Sequence, residues 1–443
     1  MKTAKLSRLA LAFIVICGVN TALVAQTPFS GQPVSISKSA SQSAMQTEST
    51  KEKPSLWDRF VKKVKSTYQS LTSTINKAVT KDTPPAFVSS NALIPGHESR
   101  EFVCQGVAWL PNRVINPASL QSKASDYQNI LLSYYCEPDY TDHPSQLVVV
   151  NRYTGKPLRR FALYQSNNSP YTGHAGGVAV AGKYVWVASG YKIYGFRLQE
   201  ILDFINDKTA KAPASLTGIP KSLQIPTLDL TAAETFEVDS KASFVSFDGT
   251  HIWVGDFVKS SNKDFAPIAH HTTNPFSRKT WIAGYKVDAD GLPTATRKYT
   301  FTEGDKSRTA FKPDSLIFCR ESVQGMAVCG KYVALSISYG ALNSKLALYN
   351  SPLSKPATKL SFKPAGQSKT FTADAWELAD GVNWLKTVDI AAGSEDLEYD
   401  GNGIYVTFEG GSKNYRQKWV SINPLVTISD NYYYIRPANI LKK

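Results

Sequence analysis

The stretches "TGHAGGVAVAGKYVWVASGYK" (172–192) and "RESVQGMAVCGKYVALSISYG" (320–340) decide the fold. Each contains a short apolar strand, a Gly-containing turn and a second strand rich in β-branched or aromatic residues, which is typical of a β-hairpin. Related stretches begin at residues 104, 242 and 394, so the hairpin occurs five times along the chain. A recurring unit of this kind indicates a repeat architecture.

One of the repeats can be filled completely with strands. Residues 104–164 contain "CQGVAWLPN", "NILLSYYC", "QLVVVNRYT" and "PLRRFALY", which predict a four-stranded meander. Four-stranded units that repeat along a chain are typical of β-propellers. The sequence therefore predicts an all-β, five-bladed β-propeller over residues 96–443, with a sixth blade in 343–390 as the alternative. A helical pattern at 197–213 predicts an insertion.

The chain before the repeats has a different composition. Residues 1–25 combine a basic start with the apolar run "LALAFIVICGV", which predicts a cleaved signal peptide, with a retained membrane anchor as the alternative. Residues 26–53 are rich in Ser, Thr and Gln and predict a disordered spacer. Residues 54–80 predict a basic amphipathic helix, which would pack on the propeller or a partner, or make a peripheral membrane contact. We therefore expect a secreted or periplasmic protein.

The net charge of +14 is concentrated in this N-terminal part. Residues 26–95 contain nine Lys or Arg against four Asp or Glu, and the signal peptide adds three basic residues. The small excess left for the body, without a nucleic-acid-binding motif, predicts no nucleic-acid partner. The sequence also lacks GxSxG, HExxH, GxxxxGK[ST] and CxxC, which argues against the chemistries of those motifs.

The aligned repeats predict a site at one rim of the central channel. The first strand of each blade lines the channel, so the residues just before the aligned Gly should converge. These residues are Gln105, Gly176, Ser243, Gln324 and Glu395, with His174 slightly further out. Such amide, carboxylate and imidazole groups could coordinate a cation, polarise a carbonyl or move a proton. The alternative is a polar channel that only satisfies its own backbone with amides and buried water.

The second strands extend this rim, because they run back towards it. Asp256 and Glu409 follow two of these strands, and His270–His271 lies in a long loop of the third blade. Adjacent histidines on an extended chain point apart, so at most one is expected to reach the channel. An acidic loop could bind calcium or a cationic ligand, or be simply solvated. Its members are Glu137, Asp139, Asp142 and His143.

Four cysteines follow the signal peptide. Cys104 opens a first strand and Cys136 closes the antiparallel second strand, so both should lie at one end of their blade. A Cys104–Cys136 disulfide is therefore sterically reasonable in an oxidising compartment. Cys319 and Cys329 should lie at opposite ends of one strand and are not expected to pair.

The chain resembles uncharacterised secreted bacterial propellers that are distantly similar to gluconolactonase-like and strictosidine-synthase-like proteins. The resemblance rests on "HAGGVAV" at 174–180, "QGMA" at 324–327, "SISYG" at 336–340, and "SE" at 394–395 with "FEGG" at 408–411. Gluconolactonase-like proteins hold a divalent metal with acidic and amide ligands. That resemblance would assign a cation, such as calcium, to Glu395, Gln105 and Gln324. Only Glu395 in this ring is acidic, which departs from the pattern.

Two functions are consistent with these residues. The first is binding of a small polar ligand, a glycan or an envelope protein at the channel rim. The alternative is a metal-assisted hydrolase of lactone-like or ester substrates, with Glu395 as metal ligand and His174 as general base.

Overall fold

The computed structural model describes residues 84–116, 127–139 and 143–442. The signal peptide, spacer and amphipathic helix predicted over residues 1–80 lie outside the described residues, as does Asp142. The described strands form five sheets of four to six strands and one separate hairpin, which confirms the five-bladed β-propeller. No helix in these ranges is long and apolar enough to cross a membrane.

The first blade contains the predicted meander. The strands up to its end are β1 (Val88–Leu93), β2 (Phe102–Leu110), β3 (Asn129–Cys136), β4 (Gln146–Asn151) and β5 (Pro157–Tyr164). β2 to β5 pair antiparallel in chain order, as the alternating apolar segments predict. β2 is buried along its whole length, as expected of the innermost strand of a blade.

The second blade is interrupted by the predicted insertion. The elements of this part of the chain are β6 (Val178–Ala181), β7 (Tyr184–Ser189), β8 (Lys192–Arg197), helix α1 (Leu198–Asn206), β9 (Thr227–Thr231) and β10 (Glu234–Glu237). α1 confirms the helical pattern and buries Leu198, Ile201 and Leu202. β9 returns to pair parallel with β5, whereas β10 forms the outer edge of the second blade.

The strands of residues 343–390, where a sixth blade was the alternative prediction, belong to the third and fourth blades. The third blade contains β11 (Phe244–Phe247), β12 (His251–Gly255), β13 (Thr280–Lys286), the hairpin β14 (Lys298–Glu303) and β15 (Lys306–Phe311), and β16 (Ser315–Cys319). The chain then continues through β17 (Val323–Cys329), β18 (Tyr332–Ile337), β19 (Ser344–Asn350), β20 (Thr358–Phe362), β21 (Phe371–Glu377) and β22 (Trp384–Ile390). β17 and β18 begin the fourth blade. β20 and β21 extend the third blade by parallel pairing of β21 with β16, while β19 and β22 complete the fourth. This region therefore contains no additional blade.

The fifth blade joins the two ends of the described chain. Its elements are β23 (Ser394–Tyr399), β24 (Ile404–Phe408), helix α2 (Lys413–Ile422), β25 (Asn431–Ile435) and helix α3 (Pro437–Leu441). β1 pairs antiparallel with β25 and supplies the outer strand of this blade. The propeller therefore begins before residue 96, the start expected from the repeats.

Glycines allow the innermost strands to approach closely around the channel. A Cβ on Gly106 would lie 2.7 Å from the backbone nitrogen of Val178, and one on Gly177 would lie 2.5 Å from that of Val245. A Cβ on Gly325 would lie 2.7 Å from a backbone oxygen of the fifth blade. The repeated glycine is thus required by backbone contact between neighbouring blades.

Candidate functional site

Two glutamates meet at the channel rim where the fifth blade begins. Glu395 is the second residue of β23 and is 3% exposed. Glu409 directly follows β24, on a single 3₁₀ turn, Glu409–Gly411. Because β23 and β24 pair antiparallel, with Ser394 opposite Phe408, the two glutamates lie at the same end of the hairpin. Their carboxyl groups lie within hydrogen-bonding reach of each other, so they form a pair that we call the carboxyl pair.

A shared proton is what allows two carboxyl groups to lie side by side. Burial raises the pKa of Glu409 to about 7. Burial, followed by the charge of Glu409, raises the pKa of Glu395 well above its usual range. Two adjacent carboxylates in a poorly solvated place repel each other, so one proton stays with the pair. The carboxyl pair can therefore accept or donate a proton near neutral pH.

Two glutamines hold the carboxyl pair from either side. Nε2 of Gln105, on β2, donates to Oε2 of Glu409 over 3.3 Å. Nε2 of Gln324, on β17, donates to Oε1 of Glu395 over 3.3 Å. β2 and β17 both contact β23 in the ring of innermost strands. Three of the predicted rim residues, Gln105, Gln324 and Glu395, are therefore brought together as expected, and Glu409 is the partner that joins them.

The neighbouring Asp396 is a buried acid at the position that glycine occupies in three of the other repeats. Its side chain is fully buried, and Oδ2 accepts the backbone N–H groups of Val107 (3.3 Å) and Val178 (3.1 Å). One carboxylate of the fifth blade thus links the first and second blades across the channel. Among the described residues, no hydrogen-bond partner is found for its other oxygen, Oδ1, and burial raises the pKa of Asp396 well above its usual range. The sequence signal is that only this repeat has an acid at the aligned position.

Acids continue along β23 towards the opposite mouth of the channel. Glu398 is buried and accepts a hydrogen bond from the backbone of Trp109, and Asp400 is 5% exposed. Asp400 accepts from Tyr434 over 3.1 Å and lies 3.5 Å from the guanidinium of Arg152. A cavity of about 150 Å³ opens there, lined in part by Trp109 and Asp400. The channel is therefore acidic from one mouth to the other.

The remaining predicted rim residues have smaller roles. His174 is exposed, and its ring packs on that of Tyr135 with the centroids 4.5 Å apart. The hydroxyl of Tyr135 is hydrogen-bonded to that of Tyr415 over 2.8 Å and donates to Glu137 over 3.3 Å. Oγ of Ser243 accepts the backbone N–H that follows Asp256. His174 thus lies at the edge of the site, in an aromatic group beside Glu137.

The paired histidines differ from the expectation. His270 and His271 are both buried, and both approach the carboxylate of Asp239. They lie on a 3₁₀ turn, Ala269–His271, rather than on an extended chain, so their side chains do not point to opposite sides. Asp256 contacts His271 and belongs to this second cluster.

The predicted Cys104–Cys136 disulfide is not formed. Cys104, Cys136, Cys319 and Cys329 are all free and buried. In the β2–β3 pairing Cys104 lies opposite Tyr134, and Cys136 lies opposite Phe102, so the two thiols are offset along the hairpin. The prediction considered only that both cysteines lie at the same end of the hairpin. The pairing register decides which side chains are opposite each other, and here it separates the two cysteines. Burial raises the pKa of Cys136 and of Cys319 to about 12, so these thiols stay protonated.

The channel rim is a poor match to calcium. Ca²⁺ takes about six to eight oxygen ligands, whereas here two carboxyl groups share a proton and two amides direct N–H groups at them. Among the described residues, the cluster with metal-ligand spacing lies elsewhere. It consists of Asp239, His270 and His271, whose donor atoms all lie within 4.8 Å of one another. The rim arrangement suits hydrogen bonding and proton exchange better than cation coordination.

Similarity to known proteins is found among solved structures and not among sequences. No family model matches the chain, and no curated protein sequence matches it. Among solved structures, the chain is similar to the glutaminyl cyclase of Myxococcus xanthus, with 7% identity over 79% of this chain and 94% of that one, and a TM-score of 0.35. It is also similar to BamB from Moraxella catarrhalis, with 8% identity over 70% of this chain and 83% of that one, and a TM-score of 0.27. The five-bladed β-propeller rests on the arrangement of the sheets in this chain.

Proposed function

We propose that the propeller binds a small polar ligand at the channel rim, and that the ligand presents a protonated amine to the carboxyl pair. The observation that supports this proposal is the pair itself, held between two amides from the flanking blades. In the described residues, neither Glu395 nor Glu409 forms a salt bridge with Lys or Arg. A buried acid pair without a cation keeps a proton, and an ammonium group could replace that proton with a charge-assisted hydrogen bond.

The surroundings of the carboxyl pair favour a cationic ligand over an anionic one. Asp396, Glu398 and Asp400 extend the acidic lining below the carboxyl pair. Burial raises the pKa of Asp396 and of Glu398 well above the usual range, so a cation nearby would favour their ionised forms, whereas an anion would gain no compensating positive charge from them. Gln105 and Gln324 can rotate to offer either an amide oxygen or an N–H group, so they would orient the ligand. A neutral glycan and an envelope protein remain the alternative ligands.

A thermal-shift screen tests this proposal. Primary amines are compared with alcohols and carboxylates of matched size, using the wild-type chain, Glu409→Gln and Glu395→Gln. Amines are expected to raise the Tm of the wild type, and at a concentration 100-fold above Kd the stabilisation is about 2.7 kcal/mol. The effect should grow with pH, because the amine competes with the shared proton, and should be lost in both variants. Stabilisation by neutral glycans but not by amines would refute the amine ligand.

A second candidate function is hydrolysis of lactone-like or ester substrates. One observation favours it: a carboxyl pair that shares a proton can supply a general base and a general acid in one place. The metal-assisted form with His174 as base is less well supported, because His174 lies in the Tyr135 group and the rim suits calcium poorly. Turnover of a lactone or ester that disappears in Glu395→Gln would favour this function over simple binding.

We also propose that the protein is secreted or periplasmic, on the evidence of the sequence pattern of residues 1–25. Recovery of the chain from the extracytoplasmic fraction, with a new N-terminus near Ala25, is the expected result. Recovery of the chain from the cytoplasm with Met1 retained would contradict it.

A further inference from the structure

A second buried group of acids and histidines lies in the third blade. Asp239 precedes β11, while His270 and His271 lie on the turn between β12 and β13. Nε2 of His270 lies 2.7 Å from Oδ2 of Asp239, and Nε2 of His271 lies 3.2 Å from Oδ1. The three side chains are at most 2% exposed. Both oxygens of one carboxylate thus face two imidazole nitrogens in a closed space.

His271 lies between two carboxylates, which restricts the protonation and binding states of its imidazole ring. Its Nε2 faces Asp239, and its Nδ1 lies 3.3 Å from Oδ2 of Asp256, which is also buried. A neutral imidazole has one N–H group, so it can donate to one aspartate and must turn a lone pair towards the other. A doubly protonated ring removes this conflict. A metal ion that binds Nε2 while Nδ1–H donates to Asp256 removes it as well.

We propose that Asp239, His270 and His271 form a binding site for a divalent transition-metal ion, with Zn²⁺ the best match. Two imidazole nitrogens and a carboxylate are ligands that Zn²⁺ prefers. Bonds of about 2.0–2.2 Å near the tetrahedral angle would place neighbouring donor atoms about 3.4 Å apart. The observed separations of 2.7 and 3.2 Å would have to widen by about 0.7 and about 0.2 Å for Asp239 to bind both histidines through the ion.

The surroundings of the cluster resemble the supports of metal ligands. A metal-bound histidine commonly donates its other N–H group to a carboxylate, and Asp256 is placed to accept it from His271. The hydroxyl of Tyr299 donates to Asp239 and holds the carboxylate. The indole of Trp281 stacks on His271, with the centroids 4.2 Å apart and the rings inclined by 10°. In the described residues, neither Asp239 nor Asp256 has a Lys or Arg partner, so a dication would balance the two carboxylates.

Metal analysis of the whole chain tests this site. The protein is purified without a metal-chelating resin after growth with Zn²⁺, and in parallel after growth with Co²⁺ in place of Zn²⁺. The wild type is expected to contain stoichiometric metal, and its Co²⁺ form should show visible d–d bands without a thiolate charge-transfer band. His271→Gln should lose both signals. His251→Gln, which changes a histidine of β12 outside the cluster, is the matched control and should keep them.

A milder variant keeps the test decisive if His271→Gln does not fold. Asp256→Asn retains all three ligands and removes only the partner of His271, so it should weaken Zn²⁺ affinity by about 10- to 100-fold. The affinity is measured by competition with a chromogenic chelator, with circular dichroism as the check on folding. Folded wild type that is free of metal and takes up neither added Zn²⁺ nor Co²⁺ would overturn the proposal. Undiminished metal in both variants would overturn it as well.

Discussion

Replacement of Glu409 by Gln isolates the effect of the shared proton on stability. In the folded protein the pKa of Glu409 is about 7, against an ordinary value of 4.5. Between these values the folded state binds more protons than the unfolded state, so the free energy of unfolding falls as pH rises. The contribution of Glu409 is fully present below about pH 4.5 and is lost as pH rises through about 7.

The size of the effect follows from the same two pKa values. A difference of about 2.5 pH units at 1.36 kcal/mol per unit corresponds to about 3 kcal/mol of unfolding free energy. Glu395 acts in the same direction, because burial and Glu409 raise its pKa as well. A glutamine at position 409 can accept the Nε2–H group of Gln105 and donate an N–H group to Glu395. It therefore imitates protonated Glu409 without being able to lose the proton.

Urea unfolding from about pH 5 to about pH 8 measures this prediction. The wild type should lose stability over this range, and Glu409→Gln should have a flatter profile and be the more stable protein at the alkaline end. Glu200→Gln is the matched control, since the Glu200 side chain on α1 is 44% exposed and remote in sequence from the pair. Parallel profiles for wild type and Glu409→Gln would refute the shared proton.

Three further predictions concern the packing of the blades. Gly177→Ala should lower the free energy of unfolding in urea by about 1–3 kcal/mol, because its Cβ would meet the next innermost strand. Gly190→Ala, whose Cβ meets no atom within 4 Å, should cost only about 1 kcal/mol for its left-handed backbone. Cys104 and Cys136 should resist a thiol reagent until the protein is unfolded, and both should then react without prior reduction; a disulfide-linked peptide in the mass spectrum would contradict this. A chain from which the N-terminal residues up to and including β1 have been removed should expose the edge of β25 and aggregate in size-exclusion chromatography. A chain that retains β1 should remain monomeric.

Much of the fold could be predicted because each blade repeats its first hairpin. The five occurrences of this hairpin predicted the blade count, and the spacing of Gly106, Gly177 and Gly325 marked positions that converge on the channel. The structure shows the physical reason, since backbone contact between blades excludes a side chain at these positions. A requirement shared by three of the five blades leaves a repeated mark in the sequence.

Features that depend on pairing between distant segments left no such mark. β1, "VSSNAL", has little apolar alternation, and its partner β25 lies at the other end of the chain. Glu409 was recognised only as a residue after a strand, because its contact with Glu395 depends on how the β23–β24 hairpin ends. The offset of Cys104 and Cys136 depends on a bulge in the register of β2, which strand patterns do not reveal.

The acids of β23 can be separated into structural and functional groups by what they bind. The innermost strand of a propeller blade has an edge with no neighbouring strand, so its N–H groups need other acceptors. Asp396 accepts N–H groups from the first and second blades, and Glu398 accepts one from Trp109, so both replace a missing strand. Glu395 and Glu409 instead contact each other and two flexible amides. A ligand could displace these side-chain contacts without breaking the ring of blades, which is why we place the site at the carboxyl pair and not at the more deeply buried Asp396.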